Sequence, residues 1–447
     1  MEKTNNSVII LAAGVGSRLK SRFPKVFHKI GGLSLLDHVI KTAKDINPKE
    51  IVIVLNPKYE NVELEFGVHT KKAYQEVQKG TADAVACGLN VLDSGESGWV
   101  YILYGDIPLV SSETLLKLTE ISQKYEKAAV VVLAMDSSDT QELGKLESAE
   151  EEGTIKGIIE AKDIFDFDKV IPLCNAGLLI KKNLLKRFIK EIKPSALTGE
   201  FYITEIVRLA HKAGYVCRYH EGDKNELLGV NTKSELALIE KIFQERERKK
   251  HMENGVTLIA PETVFFSHDT YLENDVVVHP YVVFQGNVCI KSGAQIGPFC
   301  VVEGATVNNA QVGPFARLRT GANIKNKAKI GNFVEIKNST ISEEAKVNHL
   351  SYIGDTNIGK NTNIGAGTIT CNYDGFKKHK TIIGENVFVG SNSALVAPVR
   401  IDDNAIVGAG SVIVEDVENG ALSIARSDQK NIQNWSKNFR ERKKCAE

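Results

Sequence analysis

Proline and cysteine are scarce, and neither sign of charge is in excess. The 11 prolines among 447 residues are too few for a large proline-rich disordered region, so the chain is expected to fold throughout. The seven cysteines (Cys87, Cys174, Cys217, Cys289, Cys300, Cys371, Cys445) are odd in number and never spaced as C-x-x-C. That pattern argues against a zinc site or a disulfide framework and points to a reducing, cytoplasmic location. Lys plus Arg and Asp plus Glu each total 56, so no overall field draws the chain to nucleic acid or to an anionic membrane. Any anionic ligand must be held by a local cluster of cations. Long apolar runs are missing too. The run over residues 8–13 is too short for a signal-peptide core or a membrane span, and Gly14 and Gly16 end it.

What is present divides the chain. A length of 447 residues exceeds what one core supports, so two or three domains are expected. Up to about Gly229, short apolar runs (residues 8–11, 51–54 and 130–133) alternate with helix-like stretches, the pattern of β-α-β units around a buried, mostly parallel sheet. Thr232 and Glu235 then form a T-x-x-E capping box, followed by Leu236, Ile239, Ile242 and Phe243 at helical spacing. The organisation expected is an α/β, Rossmann-like domain over residues 1–231, a linker helix over 232–254, and a second domain over 255–447.

In that second domain, from about residue 276 to 413, aliphatic residues recur every six positions: Ile290, Ile296, Val302; Val312, Leu318, Ile324, Ile330, Ile336; Ile383, Val389, Leu395, Ile401, Val407, Ile413. Four positions after each anchor comes a small or compact residue, as at Ala316, Ala322, Ala328, Val334 and Thr340. A helix with 3.6 residues per turn cannot keep a period of six on one face, whereas a β-coil with short straight sides can. A parallel β-helix of hexapeptide repeats is predicted, with the aliphatic residues pointing to its axis.

Candidate chemistry in the first domain begins at Leu11-Ala12-Ala13-Gly14-Val15-Gly16-Ser17-Arg18, directly after the first apolar run. Glycines there let backbone N–H groups approach a phosphate, and Arg18 and Lys25 add positive charge. A tight turn with solvated cations would look the same, and the spacing lacks the Lys of a P-loop. Asp106, in Tyr104-Gly105-Asp106-Ile107-Pro108, ends a strand where an open sheet binds ligands and could hold magnesium, or could be a turn residue. Asn231 could add a second oxygen or simply begin the helix. In the second domain the repeat is broken twice, by the cluster Arg317, Arg319, Lys337, His349, Tyr352 and by an excursion over residues 370–380. Breaks in local regularity are where function is expected, and the imidazole of His349 suits proton removal from an attacking amine.

These motifs, with Gln75, Gly80-Thr81, Gly199-Glu200-Phe201-Tyr202-Ile203-Thr204, Gly229-Val230-Asn231, Asn332-Phe333-Val334-Glu335-Ile336-Lys337, His349-Leu350-Ser351-Tyr352 and Asn363-Ile364-Gly365-Ala366-Gly367-Thr368, resemble one family over essentially the whole chain. It is the family of bifunctional N-acetylglucosamine-1-phosphate uridylyltransferase/glucosamine-1-phosphate acetyltransferases. The resemblance implies a left-handed β-helix and a two-step route. Acetyl-CoA acetylates glucosamine-1-phosphate, and N-acetylglucosamine-1-phosphate then reacts with UTP to give UDP-N-acetylglucosamine for peptidoglycan and lipopolysaccharide. It places Arg18 and Lys25 on the triphosphate, Leu11, Ala12, Gly14, Gln75, Gly80 and Thr81 around the nucleotide, and Asp106 and Asn231 on Mg2+. Gly144, Glu160 and Asn175 would meet the acetylated sugar. His349 would be the general base, with Arg319, Lys337 and Lys378 on the sugar phosphate and Tyr352, Asn363, Asn372 and Tyr373 on the sugar. Ala366, Ser391, Ala409 and Arg426 would lie along acetyl-CoA, Ser391 also assisting the thioester oxyanion. A homotrimer through the β-helix is implied as well. The family commonly has Tyr-Gly-Arg and Asn-Thr-Gly where this chain has Leu143-Gly144-Lys145 and Asn175-Ala176-Gly177, both on the sugar side of the pocket. Two alternatives therefore stay open: a nucleotidyltransferase for another sugar-1-phosphate, and a scaffold with a vestigial site.

Overall fold

The computed structural model describes residues 5–67, 69–138, 144–160 and 170–444. The chain divides into two compact units, Met1–Glu245 and Arg246–Glu447, and the division falls inside the long helix Lys233–Glu253.

The first unit is built on a seven-stranded sheet. Its strands are β1 Ser7–Leu11, β2 Glu50–Leu55, β3 Lys71–Tyr74, β4 Trp99–Tyr104, β5 Ala128–Asp136, β6 Leu173–Lys181 and β7 Val216–Glu221. They lie in the order β7-β5-β6-β4-β1-β2-β3. All neighbours are parallel except β6, which runs antiparallel to both β4 and β5. Strands β1 and β5 are buried along almost their whole length because both faces carry helices, which explains their unbroken aliphatic runs. The strand order reverses at β1, with β2 added on one side and β4 on the other, so the C-terminal ends of β1 and β4 open a crevice. The sites expected at Gly14 and Asp106 face that crevice. The capping box forms as expected: Glu235 N–H donates to Thr232 Oγ1 at 3.2 Å, and Glu235 Oε2 accepts from Thr232 N–H at 2.7 Å. Ile239, Ile242 and Phe243 bury one face of the helix against Leu19, Ile30 and Leu35.

The second unit is a left-handed parallel β-helix. Its three faces are parallel sheets of ten, eight and eight short strands, starting at Thr257–Leu258 and ending at Leu422–Ser423, beyond both ends of the regular repeat. One continuous core runs down the axis and contains every aliphatic anchor named above. A coil takes 16 to 18 residues: Gln295 pairs with Gln311, Asn323 with Thr340, and Arg317 with Glu335. Where a coil drops a residue the six-residue phase slips, as from Ile336 to the next buried anchor, Ile341. This corrects the expectation for Thr340. Ser339, 2% exposed, fills that inner corner, its hydroxyl donating to Lys337 O at 2.7 Å, while Thr340 stands half outside.

One edge of the β-helix carries a ladder of exposed rings. Tyr281, Phe299, Phe315 and Phe333 stack on successive coils with centroids 5.0, 4.9 and 5.2 Å apart. Each sits at a corner with positive φ (61°, 59°, 53° and 57°), and Leu350 takes the same place on the next coil at φ 51°. The excursion leaves the third face after Cys371 and lengthens its coil, so that Ile369 pairs with Ala394. It folds back through a bridge between Tyr373 and Lys378, and its tip exposes Phe376 almost completely. Among the described residues no helix is long and apolar enough to cross a membrane.

Candidate functional sites

Two cavities meet in the crevice of the first unit. One, of about 250 Å3, is lined by Leu11, Ala12, Gly14, Lys25, Gln75, Gly80, Thr81, Tyr104 and Asp106. The other, of about 440 Å3, is lined by Arg18, Tyr104, Asp106, Ser137, Asn175, Ala176, Asn231 and Glu235. Tyr104 and Asp106 border both, so the residues expected on the nucleotide and on the metal converge.

The nucleotide side is rigidly made. Gln75, 3% exposed, spends its amide hydrogens on Gly80 O at 3.0 Å and Asp83 Oδ2 at 2.8 Å, which leaves its carbonyl oxygen for a ligand. Gly80 has φ 121°, and a Cβ there would stand 2.5 Å from Phe201 O. Glycine alone lets the segment containing Phe201 close over the start of the helix Thr81–Leu89. Thr81 Oγ1 accepts from Ile203 N–H at 2.9 Å, tying the same two segments.

Lys25 lines the smaller cavity and also reaches the position expected for the metal. Its ammonium ion-pairs with Asp106 and donates to Asn231 Oδ1 at 2.8 Å. Arg18 is exposed on a short 3-10 turn and lines the larger cavity rather than the smaller one. On the sugar side, Asn175 Nδ2 donates to the Tyr104 hydroxyl at 2.8 Å. Burial, then the nearby Glu160 carboxylate, pushes that phenol well above its usual range. Glu160 Oε1 accepts from Thr204 Oγ1 at 2.6 Å, and Gly144 packs so closely on Ile159 O that a Cβ there would stand 2.8 Å away. Glu160 borders a separate cavity of about 480 Å3 with Tyr202 and Thr204. Lys145, where the family commonly has Arg, is buried, and its ammonium bonds Ser137 Oγ at 2.6 Å in the wall of the larger cavity. Leu143 lies outside the described residues.

In the second unit, register gathers the residues in two columns. Ile330, Val347, Ile364, Val389 and Val407 are paired in turn along one face. The residues two places further on, Asn332, His349, Ala366, Ser391 and Ala409, therefore stack on successive coils. The backbone links Asn392 N–H to Ala366 O and Gly410 N–H to Ser391 O fix that column, and Arg426 donates to Ala409 O at its lower end. The residues expected along acetyl-CoA thus continue the line of His349. His349 is exposed, and its Nδ1 lies 2.8 Å from Asn332 Oδ1. A carboxamide oxygen only accepts, so this bond places a proton on Nδ1, and in the neutral ring the lone pair is then on Nε2. Asn363 lies three places before Ala366 on the same coil, half-buried.

The second column is cationic and lies around the corner made by Leu350. Arg319 and Lys337 follow one another on paired strands, Arg319 held by Glu335 at 2.8 Å. Lys378 comes back from the excursion beside Lys337, whose pKa is lowered chiefly by that second ammonium, then by desolvation and Arg319. Three like charges held together make a site for a dianion. Tyr352 lies on the adjoining strand. Asn372 donates to the buried Asp355 carboxylate at 2.5 Å, and Asn338 Nδ2 reaches its other oxygen at 2.5 Å. Tyr373 points outward, its hydroxyl donating to Gly375 O at 2.6 Å. Asp355 is not among the residues the sequence points to, and Asn332 enters there only as part of a motif, without a role. The available signal was distance, since each lies 17 residues, one coil, from the residue it holds.

Fold and sites define a two-site transferase, a nucleotidyltransferase crevice followed by a hexapeptide-repeat acyltransferase. The family models agree: a MobA-like NTP transferase domain matches residues 8–161, and the bacterial transferase hexapeptide (six repeats) matches 269–304 and 380–415. A bifunctional protein GlmU of Zymomonas mobilis is 44% identical over 98% of this chain and 98% of its own. Those of Paramagnetospirillum magneticum and Paracoccus denitrificans are 42% and 44% identical over 98% and 95% of this chain, and 98% and 94% of their own. A solved structure, UDP-glucose pyrophosphorylase complexed with UDP-glucose, covers 54% of this chain at 16% identity with a TM-score of 0.44, a likeness too loose to carry weight. The chain belongs to the GlmU family. It is a bifunctional enzyme of UDP-N-acetylglucosamine synthesis, uridylyltransferase in one unit and acetyltransferase in the other.

Proposed function

We propose that His349 and the two columns beside it acetylate glucosamine-1-phosphate, and that the crevice around Asp106 then transfers the uridylyl group of UTP to the product. In the first reaction Arg319, Lys337 and Lys378 hold the sugar phosphate, and Tyr352, Asn363, Asn372 and Tyr373 meet the sugar. His349 Nε2 takes a proton from the amine as it attacks the thioester carbonyl of acetyl-CoA, lying along Ala366, Ser391, Ala409 and Arg426. Ser391 steadies the oxyanion, and the coenzyme leaves as its thiolate.

In the second reaction a phosphate oxygen of N-acetylglucosamine-1-phosphate attacks the α-phosphorus of UTP and pyrophosphate departs. Gln75, Gly80 and Thr81 receive the uracil, and Leu11, Ala12 and Gly14 the phosphates and ribose. Arg18 and Lys25 favour the departing pyrophosphate, whose charge grows toward the transition state. The Asp106 carboxylate and Asn231 carboxamide are hard oxygen donors converging on one cation position, which fits Mg2+. Bound there, Mg2+ would neutralise charge on the phosphates. Gly144, Glu160 and Asn175 face the acetylated sugar. Lys145 holds the pocket wall through Ser137, a role Arg could share, which favours the same sugar over another sugar-1-phosphate. The enzyme works as a homotrimer through its β-helix, the excursion reaching a neighbouring copy, in the cytoplasm, where its free thiols stay reduced.

What supports this reading is that Lys25, Asp106 and Asn231 meet in the first unit, while the column through His349 and the cluster of Arg319, Lys337 and Lys378 lie in the second. The test is one mixture of glucosamine-1-phosphate, acetyl-CoA, UTP and Mg2+ in which thiol and pyrophosphate are both followed. His349→Ala should cut thiol release by about 10²- to 10⁴-fold and leave pyrophosphate release from supplied N-acetylglucosamine-1-phosphate intact. Lys25→Ala should do the reverse. Loss of both activities in either variant would contradict separate sites.

A further inference from the structure

The cation position between Asp106 and Asn231 is filled by the chain itself. Lys25 Nζ donates to Asn231 Oδ1 at 2.8 Å and ion-pairs with Asp106. The side chains of Lys25 and Asp106 are only 14% and 23% exposed, so each charge needs the other to offset its lost hydration. The two oxygens are held ready. Glu235 Oε2 accepts from Asn231 N–H at 2.6 Å and Thr232 N–H at 2.7 Å, fixing the turn that carries Asn231. Gly16, at φ 67°, lets Lys25 approach, since a Cβ there would stand 2.5 Å from Lys25 Cβ. Among the described residues no group of three His, Cys, Asp or Glu could complete a metal site, so two protein oxygens leave most of an octahedral shell to phosphate and water.

We propose that Lys25 is a built-in counter-ion that closes the Asp106–Asn231 position to divalent metal until a nucleotide arrives. The triphosphate draws the ammonium away, and the freed oxygens accept the metal as it enters with the nucleotide. Lys25 therefore has two successive partners, the carboxylate first and the triphosphate second. Metal alone binds the free chain weakly, and nucleotide and metal assist one another's binding by the same factor. The inference rests on the reading of Asp106 and Asn231 as metal ligands.

The probe is Mn2+, titrated into the full-length chain with and without UTP, with free Mn2+ read by electron paramagnetic resonance. Without UTP, Lys25→Met should bind Mn2+ tighter than the parent chain by about tenfold or more. Lys25→Gln, which keeps a donor for Asn231 but no charge, should behave likewise and guards against misfolding of the methionine variant. The factor by which UTP tightens Mn2+ binding should shrink in both. Unchanged or weaker Mn2+ binding in both variants without UTP would overturn the counter-ion role. Asp106→Asn separates that failure from a deeper one. Should it bind Mn2+ with UTP as well as the parent does, the metal-ligand reading itself falls.

Discussion

Asn332 offers the sharpest test of how the acetyltransfer site is aimed. It touches His349 through one hydrogen bond, 2.8 Å from Oδ1 to Nδ1, from the coil before. Asn332→Ala removes a single neutral hydrogen bond from an exposed imidazole, worth roughly 0.5–1.5 kcal/mol. At 25 °C that is a fall of about two- to tenfold in rate, because the ring then loses its fixed tautomer and direction. Losing the base altogether costs about 10²- to 10⁴-fold, so the two variants are well separated. Thiol release is measured with glucosamine-1-phosphate varied at saturating acetyl-CoA. The loss should fall on kcat and leave KM nearly alone, as expected of a group that positions the base without touching the sugar. In a His349→Ala background the second substitution should cost nothing more, since there is no imidazole left to aim. Pyrophosphate release should be unchanged. A multiplicative loss in the double variant, or a loss appearing in KM, would refute the positioning role.

Three further outcomes are expected. Asp355→Ala strips the acceptor from Asn338 and Asn372, so KM for glucosamine-1-phosphate in thiol release should rise, and the β-helix should lose about 1–3 kcal/mol in chemical denaturation. Ile336→Ala opens a cavity in the fully buried axial stack and should cost about 2–5 kcal/mol in the same measurement. His251 is buried against Phe266, and desolvation, then Lys250, lowers its pKa to about 4 from the ordinary 6.5. The unfolded chain therefore takes up a proton between pH 6.5 and 4 that the folded chain refuses. Stability from this group is whole above pH 6.5 and is lost as pH falls toward 4, so melting followed across that window should be less steep for His251→Phe.

The β-helix was readable because a straight side of a coil admits one inward residue, and a period of six leaves no other regular fold. The same rule misled at Thr340. A corner can lose one residue without displacing the inward aliphatic of the next side, so the coil shortens while the core stays filled, as between Ile336 and Ile341. A fixed count of six then lands one residue late, on Thr340 in place of Ser339. In the first unit the strands at residues 8–11, 51–54 and 130–133 were evident from burial on both faces. The reversed direction of β6 left no trace, since a buried strand is equally apolar whichever way it runs.

The two sites differ in how far sequence could reach. In the β-helix, stacked side chains are separated by a nearly constant 17 residues, so His349 implies something at position 332 and Asn372 something at 355. Knowing the coil length turns each functional residue into a pointer to its support, and only the excursion, which brings Lys378 back to Lys337, escapes that arithmetic. The crevice has no such ruler. Lys25 and Asn231 are 206 residues apart, one opening a 3-10 turn and the other just before the long helix, and no repeat links their positions. Their types announced a cation and an oxygen donor, each plausible toward a nucleotide and its metal. That they hold one another follows from packing alone, and it is why Lys25→Met should open the proposed metal position in the same stroke that removes the cation proposed for the leaving group.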